Sequence, residues 1–240
     1  MPPIYERHLR RNTSSRHDAI NIYYLTDGVV SEVKFFDALF NYTDYINSKD
    51  YRFIRCEKTG TDSGISNGLG LVKLARKYIK TNPKFKEGKD KVLIVFDLDV
   101  YSSDLSMVIE SIEKERDILF AYSNPAFELF LILCLDKRFM TRVTKTAKTK
   151  MLENHFEGND RFIYHYIKLI YKFNSKNARS NFLNVAKKIN NCFEQNINIY
   201  IDEAKNELTC NIPYILKMIK DNKIEEIVYF SEEYKTKETI

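Results

Sequence analysis

Residues 91–97, Lys-Val-Leu-Ile-Val-Phe-Asp, form a continuous apolar run closed by a carboxylate. Such a run has no polar face to turn towards water. It reads as a strand buried on both sides, as in a parallel sheet covered by helices on each face. The flanking segments agree. Residues 20–26 (INIYYLT) are rich in β-formers and end at Asp27-Gly28, and residues 51–57 (YRFIRCE) alternate as a strand does. Ser31 is placed to cap a helix through Glu32, Phe35, Phe36, Leu39 and Phe40. LGLVKLARKYIK reads as an amphipathic helix, residues 102–116 as another, and 118–122 (ILFAY) as a short strand. Pro125 suits the first turn of the next helix, AFELFLILCLD, which is apolar almost all round. The order βαβαβαβα predicts an α/β fold with a mostly parallel central sheet flanked by helices. Beyond residue 140 the patterns are mainly helical: RFIYHYIKLIYK, NFLNVAKKINNCF and IPYILKMIK. The expected organisation is a basic N-terminal arm (1–17, with Arg7, Arg10, Arg11 and Arg16), an α/β domain (18–136) and a helical extension (137–240) packed on the same domain.

Charge is spread unevenly. The 240 residues carry a net +5, yet residues 137–192 hold 13 basic side chains against 3 acidic ones. Lys137, Arg138, Arg142, Lys145, Lys148 and Lys150 follow one another with no intervening acid. The run is either a solvated face or a surface for a polyanion. Interleaving with Tyr164, Tyr166, Tyr171 and Phe173 fits nucleic acid as the partner. No apolar run approaches the ~20 residues needed to span a bilayer. The first 18 residues lack the apolar segment of a secretory leader, so a cytoplasmic protein with no membrane partner is expected. Cys56, Cys134, Cys192 and Cys210 form no CxxC pair, which argues against thiolate zinc and a disulfide framework. Cys56 and Cys134 read as core residues, and His8, His17, His155 and His165 lie far from the acidic motifs in sequence.

Glycine is scarce. Four of the seven glycines (Gly60, Gly64, Gly68, Gly70) fall in one stretch, expected to be a surface loop, either merely flexible or flanking a site. That stretch lacks the Gly-Lys-Ser/Thr ending of a nucleotide-binding P-loop, and no GxGxxG follows the first strand. Lys58, Asp62 and Ser63 are candidates for phosphate contact. Gly28 is expected to let the first strand bend away beside Asp27.

Ligands of parallel sheets bind beyond the carboxyl ends of the strands. There the first strand ends in Asp27 and the third in Asp97-Leu98-Asp99. Residues i and i+2 of an extended chain share a face, so Asp97 and Asp99 can converge on one cation, with Asp27 and Glu32 nearby. These acids either finish strands and cap helices or form an all-oxygen ligand set. An all-oxygen set favours Mg²⁺ or Mn²⁺ and phosphoryl chemistry. After the fourth strand, Ser123 or Asn124 can cap the next helix. Glu128 lies one turn into it, where a carboxylate favours the helix N-terminus and can face the same rim.

These residues resemble the TOPRIM domain and, more narrowly, RloB-like proteins. Asp27-Gly28-Val29-Val30-Ser31-Glu32 is similar to the family's EGxxTE segment, Phe96-Asp97-Leu98-Asp99 to its FDxD, and Ser123-Asn124-Pro125-Ala126-Phe127-Glu128-Leu129 to its SNPxFEL. The resemblance implies a TOPRIM-like sheet and metal aspartates at Asp97 and Asp99. It implies catalytic acids at Asp27, Glu32 and Glu128, and Mg²⁺-dependent nuclease action in phage defence beside an OLD-type or ABC-type ATPase. Asp27 departs from the family glutamate, and being one methylene shorter it withdraws the carboxylate by roughly 1–1.5 Å. A misplacement of ~1 Å can cost ~10²-fold in rate. The expected function is therefore metal-dependent cleavage of RNA or DNA, with the basic residues from Lys137 to Lys150 gripping the backbone. The alternative is a catalytically weak module that binds nucleic acid or a partner. A third reading is an enzyme acting on a small phosphoester.

Overall fold

Alternation along the strands decides how the sheet is covered. The computed structural model describes residues 19–28, 30–45, 50–98, 105–174, 179–204 and 206–238. Its main sheet contains β1 (Ile20–Thr26), β2 (Tyr51–Arg55), β3 (Lys91–Asp97), β4 (Ile118–Asn124) and a short β7 (Thr209–Cys210). The order is β2-β1-β3-β4-β7, with the first four strands parallel and β7 antiparallel to β4. Side chains of period two divide between two cores. Ile22, Tyr24, Leu93, Val95, Leu119 and Ala121 point to one, and Tyr23, Leu25, Val92, Ile94, Phe96, Phe120 and Tyr122 to the other. The 91–97 run is thus buried on both faces, as its composition predicts.

The first face is covered by α1 (Ser31–Tyr42) and α4 (Phe127–Leu135), the second by α2 (Gly68–Thr81) and α3 (Leu105–Lys114). Every residue from Phe127 to Cys134 is buried. The reason is the set of C-terminal helices α5 (Phe139–Arg142), α6 (Lys145–Leu152), α7 (Phe162–Ile170), α8 (Arg179–Ala186), α9 (Asn190–Phe193) and α10 (Ile212–Lys220): α5, α7, α8 and α9 pack on α4, α6 on α7, and α10 on β4. A two-stranded ribbon, β5 (Phe156–Glu157) and β6 (Asp160–Arg161), leads into α7, and α11 (Glu232–Glu238) ends the described chain.

Several expectations are corrected. The fourth strand runs on to Asn124, because Ser123 and Asn124 pair with Cys210 and Thr209. Asn124 does not cap α4; its amide donates to the carbonyls of Ala204 and Glu207. Pro125, after a cis peptide, precedes the helix, and Ala126 is its N-cap. Ser31 is the first residue of α1 and Val30 the N-cap, with no capping side chain. The glycine-rich stretch is structured: residues 60–64 form a 3-10 turn, while Gly68 and Gly70 lie inside α2, whose N-cap Asn67 accepts from the Gly70 N–H at 2.7 Å. The 181–193 pattern is broken between α8 and α9. Cys56 and Cys134 are buried, as expected. The N-terminal arm, Asp99, His8 and His17 lie outside the described residues.

Candidate metal centre

The register of the sheet sets two acids side by side. Thr26 is level with Val95 and Asp97 with Ser123, so β1, β3 and β4 end along one rim. The Asp27 N–H makes the last bond of the ladder, to the Val95 carbonyl at 2.9 Å. Its carboxylate then turns back on the backbone. Oδ1 accepts from the Gly28 N–H at 2.6 Å and Oδ2 from the Asp97 N–H at 3.1 Å. The side chain thereby bridges the ends of two adjacent strands.

Glu32, in the first turn of α1, reaches the same point from above and is buried. Gly28 makes this approach available: a Cβ on it would stand 2.0 Å from Glu32 Oε2. The residue serves close packing as well, beside the bend at Asp27 that was expected of it. Asp97, half-buried, closes β3, and the Ser123 hydroxyl donates to its Oδ1 at 3.4 Å. One oxygen each from Asp27, Glu32 and Asp97 lies within 4.8 Å of the other two. Three carboxylates that close repel unless a proton or cation intervenes. Burial, and then the neighbouring Asp27 charge, pushes the Glu32 carboxyl up to about 7. The donor set is all oxygen, which suits a hard divalent cation. Among the described residues, no histidine or cysteine joins such a cluster.

Glu128, in the first turn of α4, lies outside this trio but within its field. Burial, then the Glu32 charge, raises it to about 8, and Arg161 opposes the shift. Two groups from the C-terminal extension lie within the electrostatic reach of these acids, and neither was foreseen. Arg161 ends the β5–β6 ribbon, and Tyr164 follows it on α7. The Tyr164 phenol is held above its ordinary value by burial first, then by the charges of Glu128 and Asp97. In sequence, Arg161 is one cation among thirteen and Tyr164 one aromatic of a helical stripe. Only the packing of α7 on α4 brings them to the rim.

Of the phosphate candidates, Lys58 lies at the site with two of its three donors on backbone. Its ammonium donates to the Asp27 carbonyl at 2.8 Å and the Ile65 carbonyl at 2.7 Å, tying the end of β1 to the chain ahead of α2. Asp62 pairs with Lys77 at 2.8 Å, and the Ser63 hydroxyl donates to the Gly60 carbonyl; both serve the turn. In the basic stretch, Lys137, Arg138, Arg142 and Lys145 are exposed, while Lys148 and Lys150 are half-buried. Lys150 is bound to Glu157 at 2.6 Å and Arg142 faces Asp136 at 3.8 Å, so two of the six charges are locally offset.

No described helix is long and apolar enough to cross a membrane. No curated protein and no solved structure matches the chain significantly. The model of one family, RloB-like protein, matches residues 22–219, spanning β1 to α10 and every acid of the rim. On that match the chain belongs to the RloB-like protein family.

Proposed function

We propose that the protein is a metal-dependent phosphodiesterase acting on nucleic acid. The observation carrying this reading is the convergence of Asp27, Glu32 and Asp97 within 4.8 Å at the carboxyl rim of a parallel sheet. A Mg²⁺ or Mn²⁺ ion held there, with Asp99 adjoining in sequence, would polarise a phosphoryl oxygen and acidify water. The chain's own groups supply the rest. Asp27, with both oxygens on backbone N–H groups, fixes the rim more than it moves protons. Glu128, buried, outside the trio and raised to about 8, is suited to take up or release a proton near neutrality. Arg161 adds positive potential that opposes the rise of Glu128. Lys137, Arg138, Lys145 and Lys148 can bind backbone phosphates on the outer helices. A role in phage defence beside an OLD-type or ABC-type ATPase is part of the proposal.

The test is cleavage of labelled RNA and DNA by the purified chain, alone and with an ATPase encoded beside it, in Mg²⁺, Mn²⁺ or EDTA. Cleavage is expected only with metal, and Asp97→Ala should lower it by about 10²-fold or more. Absence of cleavage under all these conditions sinks the enzymatic reading. A second reading, a nucleic-acid-binding module with a weakened centre, is favoured by the engagement of both Asp27 oxygens. Binding that survives EDTA and Asp97→Ala without any cleavage would favour it.

A further inference from the structure

Beside the metal centre, on the β2 side, lies a cleft of about 240 Å³. Its walls are the end of β1 (Tyr24, Thr26, Gly28), the end of β2 with its continuation (Arg55, Cys56, Glu57, Lys58) and Val33 of α1. Gly28 belongs to both places: it lines the cleft and gives its N–H to Asp27. Anything seated in the cleft is therefore a neighbour of whatever the three acids hold.

The cleft carries two cations, Arg55 and Lys58, against one acid, Glu57, and so offers a site for an anion. Lys58 is half-buried, yet its two hydrogen bonds go to carbonyls and, among the described residues, it forms no ion pair. An ammonium has three donors, so one N–H is left for a ligand. Arg55 is only loosely engaged, 4.0 Å from Asp37, whose other oxygen accepts from the Tyr24 hydroxyl at 2.7 Å. Tyr24, Val33 and Cys56 add an apolar wall. The volume is below the roughly 300–1,000 Å³ of sites that enclose a drug-sized ligand. It leaves room for no more than about one nucleotide unit.

We propose that this cleft holds one nucleotide unit adjoining the reacting phosphate, with Lys58 and Arg55 at its phosphate. The assignment rests on the phosphodiester reading above, and its test is independent of catalysis. Adenosine 5′-monophosphate, adenosine and inorganic phosphate are titrated into the full chain in EDTA, followed by calorimetry. The nucleotide should bind about tenfold or more tighter than either fragment, since a charge-assisted bond contributes at least that factor. Val33→Trp, which fills the cleft, and Arg55→Glu, which reverses its charge, should each weaken nucleotide binding by about tenfold or more. Lys84→Glu, at the opposite end of the sheet, should leave it unchanged. Arg55 is exposed on the edge strand, so its variant keeps the test open if Val33→Trp does not fold. Inorganic phosphate binding as tightly as the nucleotide, or full affinity in the Arg55→Glu variant, overturns the assignment. Nucleotide binding without cleavage of any polymer keeps the cleft and removes the hydrolytic reading. Cleavage without nucleotide binding does the reverse.

Discussion

Gly28 lacks a side chain where the Glu32 carboxyl stands, and this pairing brings the carboxylates of the rim together. Gly28→Ala should displace Glu32, lower Mn²⁺ affinity and cost about 1–3 kcal/mol through overpacking, read by calorimetry and thermal melting. Unchanged metal binding would refute the role given to Gly28. The raised acids make a second prediction. An acid whose folded value exceeds its ordinary 4.5 holds its proton more tightly folded than unfolded. It therefore adds stability at low pH, and that stability is lost as pH climbs through about 7 for Glu32 and about 8 for Glu128. In EDTA the melting temperature should fall between pH 5.5 and 8.5. Mn²⁺ should restore it more at the upper end, and Glu128→Gln should flatten the fall. A metal-free melting temperature that rises over this range would count against the crowded carboxylates. Asp27 and Asp97 were legible in the sequence because acids at the ends of apolar runs mark a sheet's rim, and Glu32 and Glu128 because each opens the helix that follows a strand. Lys58 was legible only as a phosphate candidate, and Arg161 and Tyr164 not at all, because their place depends on contacts between distant segments.

Among the elements, the edge of β4 shows how a short strand can finish a sheet. β7 supplies only two residues, and side chains continue its work. The Asn211 amide accepts from the Tyr122 N–H at 2.7 Å and donates to the Phe120 carbonyl at 2.9 Å, while the Phe120 N–H donates to the Tyr229 hydroxyl at 3.1 Å. Buried backbone groups that would otherwise lack partners are thus satisfied. Asn211→Ala should cost about 1–3 kcal/mol for each group left bare, measured by denaturant unfolding. A loss under about half a kcal/mol would mean that water or another group takes the place of the amide. The four parallel strands and their helices were readable from period and composition. β7 was not, since Thr-Cys has no periodicity, and it pairs with β4 from across more than eighty residues.

For the molecule as a whole, the C-terminal extension is part of the core rather than an appendage. It covers the outer side of α4 and adds the last strand of the sheet. A chain ending at Asp136 should expose the apolar face of α4 and aggregate, which sedimentation would show; a monomeric, cooperatively melting fragment would contradict this. The same extension carries the basic helices. If they bind nucleic acid, the double variant Lys145→Glu and Lys148→Glu should make the dependence of affinity on salt less steep, by roughly one in logarithmic slope for each phosphate no longer neutralised. An unchanged slope would place the binding surface elsewhere. The net charge of the region was legible from counting; the pairing of Lys150 with Glu157 needed the ribbon to be folded.

The fit of Glu32 over Gly28 also limits how the rim can change in descent. A side chain at position 28 and a full-length acid at position 32 exclude each other, so the two positions cannot vary independently. Gly28→Ala is expected to be harmful beside glutamate and milder beside Glu32→Asp, whose shorter arm clears the new methyl group. Such sign-dependent coupling would appear in a double-mutant cycle on metal affinity. Among related chains it would appear as a substitution at one position tolerated only when the other has already changed.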